Sequence, residues 1–153
     1  MREIIYFDTS ALAKWYVKEP ESDSVEKYIH EHGPIDISDL TVVEMRSLLS
    51  RHRRERNIDA IIEASLFAAF EEDIRQRFLI CHPLSSGIIR GAANLISVHT
   101  DIPLRTLDAL HLIIAKEIQA EIFATSDRVM AAGAKAMGFS VVWFGKPNFR
   151  QKD

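Results

Sequence analysis

A single cysteine, Cys81, stands in a chain of 153 residues, so no intramolecular disulfide can brace the fold. Its place in the apolar run Phe78-Leu79-Ile80-Cys81 reads as a buried, inert thiol. Zinc-site spacing of Cys and His is also missing: His30, His32, His52, His82 and His99 fall at no ligand interval. Nor is there the excess of positive charge that marks a general nucleic-acid binder, since the formal net charge is -3 and the pI about 6.1. Any contact with nucleic acid has to come from a local patch. No apolar run approaches the ~20 residues that cross a bilayer. Arg2 and Glu3, with only a short apolar stretch after them, do not make a signal peptide. The cytoplasm is the expected compartment and no membrane partner is expected. Repeats, low-complexity segments and linkers are absent, which predicts one domain over residues 1–153.

What is present is a globular composition, 47% hydrophobic and 27% charged, able to bury a core without disulfides or a structural metal. Ile4–Phe7 reads as a buried strand, followed by Asp8-Thr9-Ser10 and a helix over Ala11–Val17 that Pro20 ends. Glu21–His32 is helical, Gly33-Pro34 is a break, and Ile35–Ser38 is a short strand. A helix runs from Thr41 to about Glu55. Ile58, Ile61, Ile62, Leu66, Phe70, Ile74 and Phe78 recur at helical spacing and predict a long helix, apolar enough to serve a partner groove or a dimer as well as the core. Leu79–His82 is either the end of that helix or a strand. Ser85–His99 and Leu107–Gln119 are helices, Glu121–Thr125 a strand, Asp127–Met137 a helix closed by Gly138, and Ser140–Phe144 the last strand. A polar tail after Lys146 is expected to be loose. Strands alternating with helices predict an α/β fold with a parallel sheet covered on both faces.

In such a sheet, ligands bind beyond the carboxyl ends of the strands. Asp8 directly follows the first strand, and Asp127 follows Ile122–Thr125 by one residue. Glu44 is placed in the first turn of the helix after the second strand, and Asp108 in the first turn of the helix before the fourth. Each acid has a local explanation. Thr41-Val42-Val43-Glu44 matches a capping box. Asp127 and Asp8 can be plain N-caps. Asp108 can complement a helix dipole behind a Thr106 cap. If the four meet, however, each pair at ~4 Å repels by roughly 4 kcal/mol at an effective dielectric of 20, so a countercharge is required. Arg46, Arg105 and Arg128 are near in sequence, but only the fold can pair them. An all-oxygen carboxylate set suits Mg²⁺ or Mn²⁺.

These residues resemble a known family. Tyr6-Phe7-Asp8-Thr9-Ser10-Ala11-Leu12, Thr41-Val42-Val43-Glu44, Leu107-Asp108-Ala109-Leu110-His111-Leu112 and Ala124-Thr125-Ser126-Asp127 are similar, in order and spacing, to PIN-domain nucleases, and within them to the VapC-type ribonuclease toxins of toxin–antitoxin modules. The resemblance covers nearly the whole chain. It implies a three-layer α/β/α fold with a four- to five-stranded parallel sheet. It implies a metal-dependent endoribonuclease with Asp8, Glu44, Asp108 and Asp127 as catalytic metal ligands, Asp8 central and Asp127 the least direct. Ser10 and Thr125 would orient carboxylates by hydrogen bonds. It further implies RNA as substrate, a small VapB-type antitoxin as partner, and a homodimer.

Arg51-His52-Arg53-Arg54-Glu55-Arg56 is the one dense basic run; with Arg46 it could touch RNA phosphates or an acidic partner, or be a solvated helix end. Trp15 and Tyr16 could stack on bases or pack in the core. His111 could be a metal ligand or a hydrogen-bonded structural histidine on the Leu107-Leu110-Ile114-Ile118 face. Two alternatives to the toxin stand: the same fold in RNA processing or structured-DNA cleavage, and a phosphorylatable receiver-like module. The second needs paired acids after the first strand, where only Asp8 stands, and a lysine after the last, for which Lys146 is the candidate. A haloacid-dehalogenase-like phosphatase would need an acid where Ser10 is.

Overall fold

In the computed structural model, which describes residues 1–147, strands and helices alternate along the chain. The order is β1 (Ile5–Phe7), α1 (Thr9–Tyr16), α2 (Ser22–His32), β2 (Ile35–Ser38), α3 (Asp39–Arg54), α4 (Ala60–Arg75), β3 (Leu79–His82), α5 (Ile88–Val98), α6 (Thr106–Glu117), β4 (Ile122–Thr125), α7 (Arg128–Ala136) and β5 (Ser140–Trp143). All strand pairings are parallel, in the order β3-β2-β1-β4-β5. The three-layer α/β/α arrangement expected from the sequence is the one that forms. From residue 148, the tail expected to be loose lies outside the described residues.

The pleat of the central strands explains the layers. Successive side chains on a strand point to opposite faces. Ile5 and Phe7 enter the core built by α1 to α4, while Tyr6 enters the core built by α5, α6 and α7. Ala124 and Phe123 on β4 divide the same way. Helix α7 approaches α6 closely because residue 133 is glycine; a Cβ there would stand 2.7 Å from Leu112 Cδ1.

Local chemistry shifts several boundaries. The Ser38 amide donates to Thr41 Oγ1 at 3.2 Å, so α3 starts at Asp39, earlier than the expected Thr41. Thr41, rather than the expected Glu44, therefore closes the cap, and Glu44 lies in the second turn, not the first. Helix α1 starts at Thr9 on the Asp8 cap and ends at Tyr16. The long helix is shorter than its apolar spacing predicts: Asp59 accepts from the Ile62 amide at 2.8 Å and starts it, and Ile58 and Phe78 lie outside it. Its outer face leaves Ile61 and Ile62 exposed. Leu79–His82 is a strand, in register with Ile35–Ser38. Cys81 is half-buried, donating to Asp39 Oδ1 at 3.4 Å, and burial pushes its thiol up to about 12, so it stays protonated at neutral pH.

Two buried acids brace the layers through ion pairs. Asp36, fully buried on β2, takes Arg2 Nη1 and Nη2 at 2.8 and 2.6 Å, His82 Nε2 at 2.8 Å and the Ile5 amide at 3.1 Å. Glu63 on α4 takes Arg46 and Arg53 of α3 at 2.5 and 3.2 Å. Removing one partner of a buried pair strands the other. Arg2→Ala is therefore expected to destabilise the protein by ~2 kcal/mol, and adding Asp36→Asn should recover part of that loss by removing the stranded charge. Urea unfolding of the single and double variants checks this, and a wild-type midpoint for Arg2→Ala would show that the pair does not brace the sheet.

Candidate active site

Because β1 pairs with both β2 and β4, the chain leaves β1 towards one half of the sheet and returns at β4 to build the other. That switch point opens a crevice beyond the carboxyl ends of β1 and β4. Asp8 and Asp127 emerge on its two sides, and the Asp8 amide still donates to Ala124 O at 3.1 Å, tying the two strand exits together. Glu44 reaches it from α3 in one helical layer and Asp108 from α6 in the other. All four acids line a single cavity of about 340 Å³, together with Thr9, Ser10, Arg105 and His111. A larger hollow of about 520 Å³ between α7 and β5 has no carboxylate among its described lining residues, so size alone does not identify the site.

Asp8 is only 1% exposed. Its Oδ1 accepts from the Ala11 amide at 3.0 Å and from Ser10 Oγ at 2.7 Å, and its Oδ2 accepts from Thr125 Oγ1 at 2.5 Å. Burial pushes this carboxyl above the ordinary Asp value, opposed by the nearby His111 and by those hydroxyl and amide donors. Ser10 and Thr125, singled out as carboxylate-orienting hydroxyls, both hold Asp8. They also stitch the loop: the Ser126 amide donates to Ser10 Oγ at 3.0 Å and the Asp127 amide to Thr125 Oγ1 at 2.9 Å.

Glu44 is positioned by a relay that runs into the core. His111 Nε2 and Thr9 Oγ1 both donate to Glu44 Oε1, the latter at 3.0 Å. Because a carboxylate only accepts, Nε2 carries a proton towards Glu44, and the other ring nitrogen, Nδ1, is hydrogen-bonded to Tyr6 OH at 2.6 Å. Tyr6 OH lies 3.1 Å from Ser38 Oγ. His111 is thus the hydrogen-bonded histidine, buried on α6 near Ile114, while Leu107 at the start of the helix is 47% exposed. Its link to Glu44 went unseen in the sequence because 67 residues separate them.

Asp108 Oδ2 accepts from the Arg105 amide at 2.9 Å, which makes Arg105, not Thr106, the cap position of α6. Asp127 Oδ1 caps α7 through the Met130 amide at 2.9 Å. The Arg105 side chain bridges the two acids. Among the described residues no three His, Cys, Asp or Glu side chains are arranged as a ready-made metal cage, and each of the four acids is held by donors of its own. In kind, the set fits a hard divalent ion, since four carboxylates share one cavity and Asp8 has no Lys or Arg partner among the described residues.

Of the basic residues, Arg46 and Arg53 are engaged with Glu63, and Arg46 also lies over the Phe67 ring at 4.9 Å. Arg51 and Arg54 are exposed, about 10 and 15 Å along α3 from Glu44 at 1.5 Å per residue. Tyr16 donates to Asp73 at 2.6 Å and meets Phe70 edge-on, and Trp15 packs against the same core, which favours packing over base stacking. Lys146 is absent from the described lining of the acid cavity, so the receiver-like alternative lacks its lysine there.

The PIN domain family model matches residues 5–136. Ribonuclease VapC46 of Mycobacterium tuberculosis is 30% identical over 141 residues, covering 90% of this chain and 95% of its own. Ribonuclease VapC47 of the same species is 29% identical over 146 residues, covering 89% and 93%. Among solved structures, M. tuberculosis VapC20, described as a sarcin-ricin loop cleaving toxin, superposes with a TM-score of 0.67 at 16% identity over 88% of this chain and 95% of its own. FitAcB of Neisseria gonorrhoeae gives 0.64 at 16% identity over 90% and 96%. At that identity the two structures attest the fold.

A buried carboxylate without a cation is a destabilising feature of the metal-free protein. Asp8→Asn should raise the melting temperature in EDTA by a few degrees, the scale that about 1 kcal/mol produces in a domain of this length. Differential scanning calorimetry measures it, and a fall would mean that the hydroxyl and amide bonds outweigh the burial penalty.

Proposed function

The chain belongs to the PIN-domain family, and from that premise we propose that it is a metal-dependent endoribonuclease of the VapC type, acting as the toxin of a toxin–antitoxin pair. The observation that carries this reading is the meeting of Asp8, Glu44, Asp108 and Asp127 in one cavity at the β1/β4 switch point. The curated relatives, named as ribonucleases over nearly their full length, supply the substrate class.

Asp8, Glu44, Asp108 and Asp127 would hold Mg²⁺ or Mn²⁺. When bound in such a site, the ion's chemistry is to activate water for in-line attack on phosphorus and to stabilise the leaving oxygen. The protein's own part is placement. Ser10, Thr125 and the Ala11 amide fix Asp8 in one orientation, and His111, backed by Tyr6, fixes Glu44. Both oxygens of Asp8 are thereby locked in the floor of the crevice, Asp108 is nearly as buried, and Asp127 stands at its more open side. RNA would enter from that side, and Arg51 and Arg54, exposed and without an ion pair among the described residues, are open to a phosphate or an acidic partner. A small VapB-type antitoxin, a homodimeric assembly, a single domain over residues 1–153 and a cytoplasmic setting complete the proposal. No helix among the described residues is long and apolar enough to cross a membrane.

Purified protein should cut RNA with Mn²⁺ or Mg²⁺ and stop with EDTA, and Asp8→Asn should abolish cutting while its far-ultraviolet dichroism stays that of the wild type. Undiminished cutting by that variant would rule out the site. His111→Gln, which loosens Glu44 without removing a carboxylate, should lower the rate by about 10–100-fold, the range for residues that orient metal ligands. A rate within twofold of wild type would remove His111 from the machinery.

A further inference from the structure

Arg105 is 73% exposed in its side chain, yet it is drawn across the mouth of the acid cavity. Its Nε lies 3.3 Å from Asp108 Oδ2 and its Nη2 3.4 Å from Asp127 Oδ2. No other Lys or Arg pairs with any of the four acids among the described residues. Arg128, next to Asp127 in the chain, is exposed and forms no ion pair among them. The guanidinium therefore stands against Asp108 and Asp127, two of the four carboxylates that the reading above assigns to the divalent ion.

We propose that Arg105 is a resident countercharge: it neutralises Asp108 and Asp127 in the metal-free protein, divalent ion and guanidinium exclude one another there, and Arg105 thereby sets the metal affinity of the site. This rests on the metal-dependent reading of the preceding subsection. The chemistry suits exchange. A planar guanidinium with spread donors can span carboxylates from two elements, which a point-like ammonium does less well. At 3.3 and 3.4 Å both contacts are long for charge-assisted bonds and the guanidinium is largely in water, so the bridge opens without a large penalty. The backbone bond from the Arg105 amide to Asp108 survives any side-chain change other than proline, so the cap of α6, and with it the fold, is kept in the test variants.

Mn²⁺ binding, followed without RNA by calorimetry or by the loss of the free-ion electron paramagnetic signal, separates the outcomes. Arg105→Gln should bind Mn²⁺ about tenfold tighter than wild type, equivalent to about 1.4 kcal/mol. Its melting temperature in EDTA should fall, and the rise on adding Mn²⁺ should exceed that of wild type. Arg105→Lys, which keeps the charge but not the fork, should lie between. Arg128→Gln should stay within twofold of wild type. Unchanged or weaker binding by Arg105→Gln in the presence of normal wild-type binding overturns the exchange alone. Equal tightening by Arg128→Gln also overturns it, because the effect would then be one of overall charge. Failure of the wild type and every variant to bind Mn²⁺ overturns the metal reading and this inference together.

Discussion

Like charges brought together at the end of a parallel sheet must be answered by something, and the ways in which this chain answers them organise its architecture. Pairs of carboxylates at ~4 Å repel by roughly 4 kcal/mol at an effective dielectric of 20. Elsewhere in the molecule the answer is a basic side chain. Asp36 is met by Arg2 and His82, and Glu63 by Arg46 and Arg53. At the crevice the answer is different. Asp8, as buried as Asp36, is met by two hydroxyls and an amide, with no Lys or Arg partner among the described residues. Asp108 and Asp127 share one solvent-exposed guanidinium. The contrast separates acids that hold the fold from acids that are left partly unanswered.

Placement of that partly unanswered charge follows from topology. A short central strand, Ile5–Phe7, pairs on both sides and buries alternate residues in both layers, so its carboxyl end opens where the two halves of the sheet diverge. Asp8 is the first residue past it. The helices that cover the two faces then deliver Glu44 and Asp108 from opposite directions. Tyr6, one pleat away from Phe7, faces α6 and reaches His111, which links the α5–α7 core to the orientation of a carboxylate carried by α3. Packing in one layer thus sets geometry contributed by the other.

Much of this was legible in the sequence, and what was not has physical causes. Hydrophobic period and Gly/Pro punctuation located the elements, and the strand-end rule pointed to Asp8 and Asp127. Boundaries slipped where a side chain competed for a helix start: Thr41 Oγ1 captured the Ser38 amide and moved Glu44 into the second turn. The helical spacing of Ile74 and Phe78 ran on into Leu79, and only pairing with β2 shows Leu79–His82 to be a strand. Arg46 and Arg53 read as a basic run because Glu63, their partner, comes from the next helix. The roles of Arg105 and His111 depend on distances between elements, which no local pattern encodes.

The capping explanations and the catalytic one do not exclude each other. Asp8 gives Oδ1 to the Ala11 amide, Asp127 gives Oδ1 to the Met130 amide, and Asp108 gives Oδ2 to the Arg105 amide. Each carboxylate has two oxygens, and a cap bond engages only one. A backbone amide is an unusually rigid donor, since its direction is fixed by the helix it starts. The bond holds the side chain in one rotamer without using up the group: Asp8 Oδ2 is left to Thr125, Asp127 Oδ2 to Arg105, and Asp108 Oδ1 has no hydrogen bond among the described residues. A cap is worth only ~1 kcal/mol to the helix, but at this crevice it also fixes the orientation of an acid. Aspartates at the caps of α1 and α7 and in the first turn of α6 are therefore oriented in one cavity by the same bonds that start those helices, so local stability and the chemistry proposed for the site call for the same residue type at these positions.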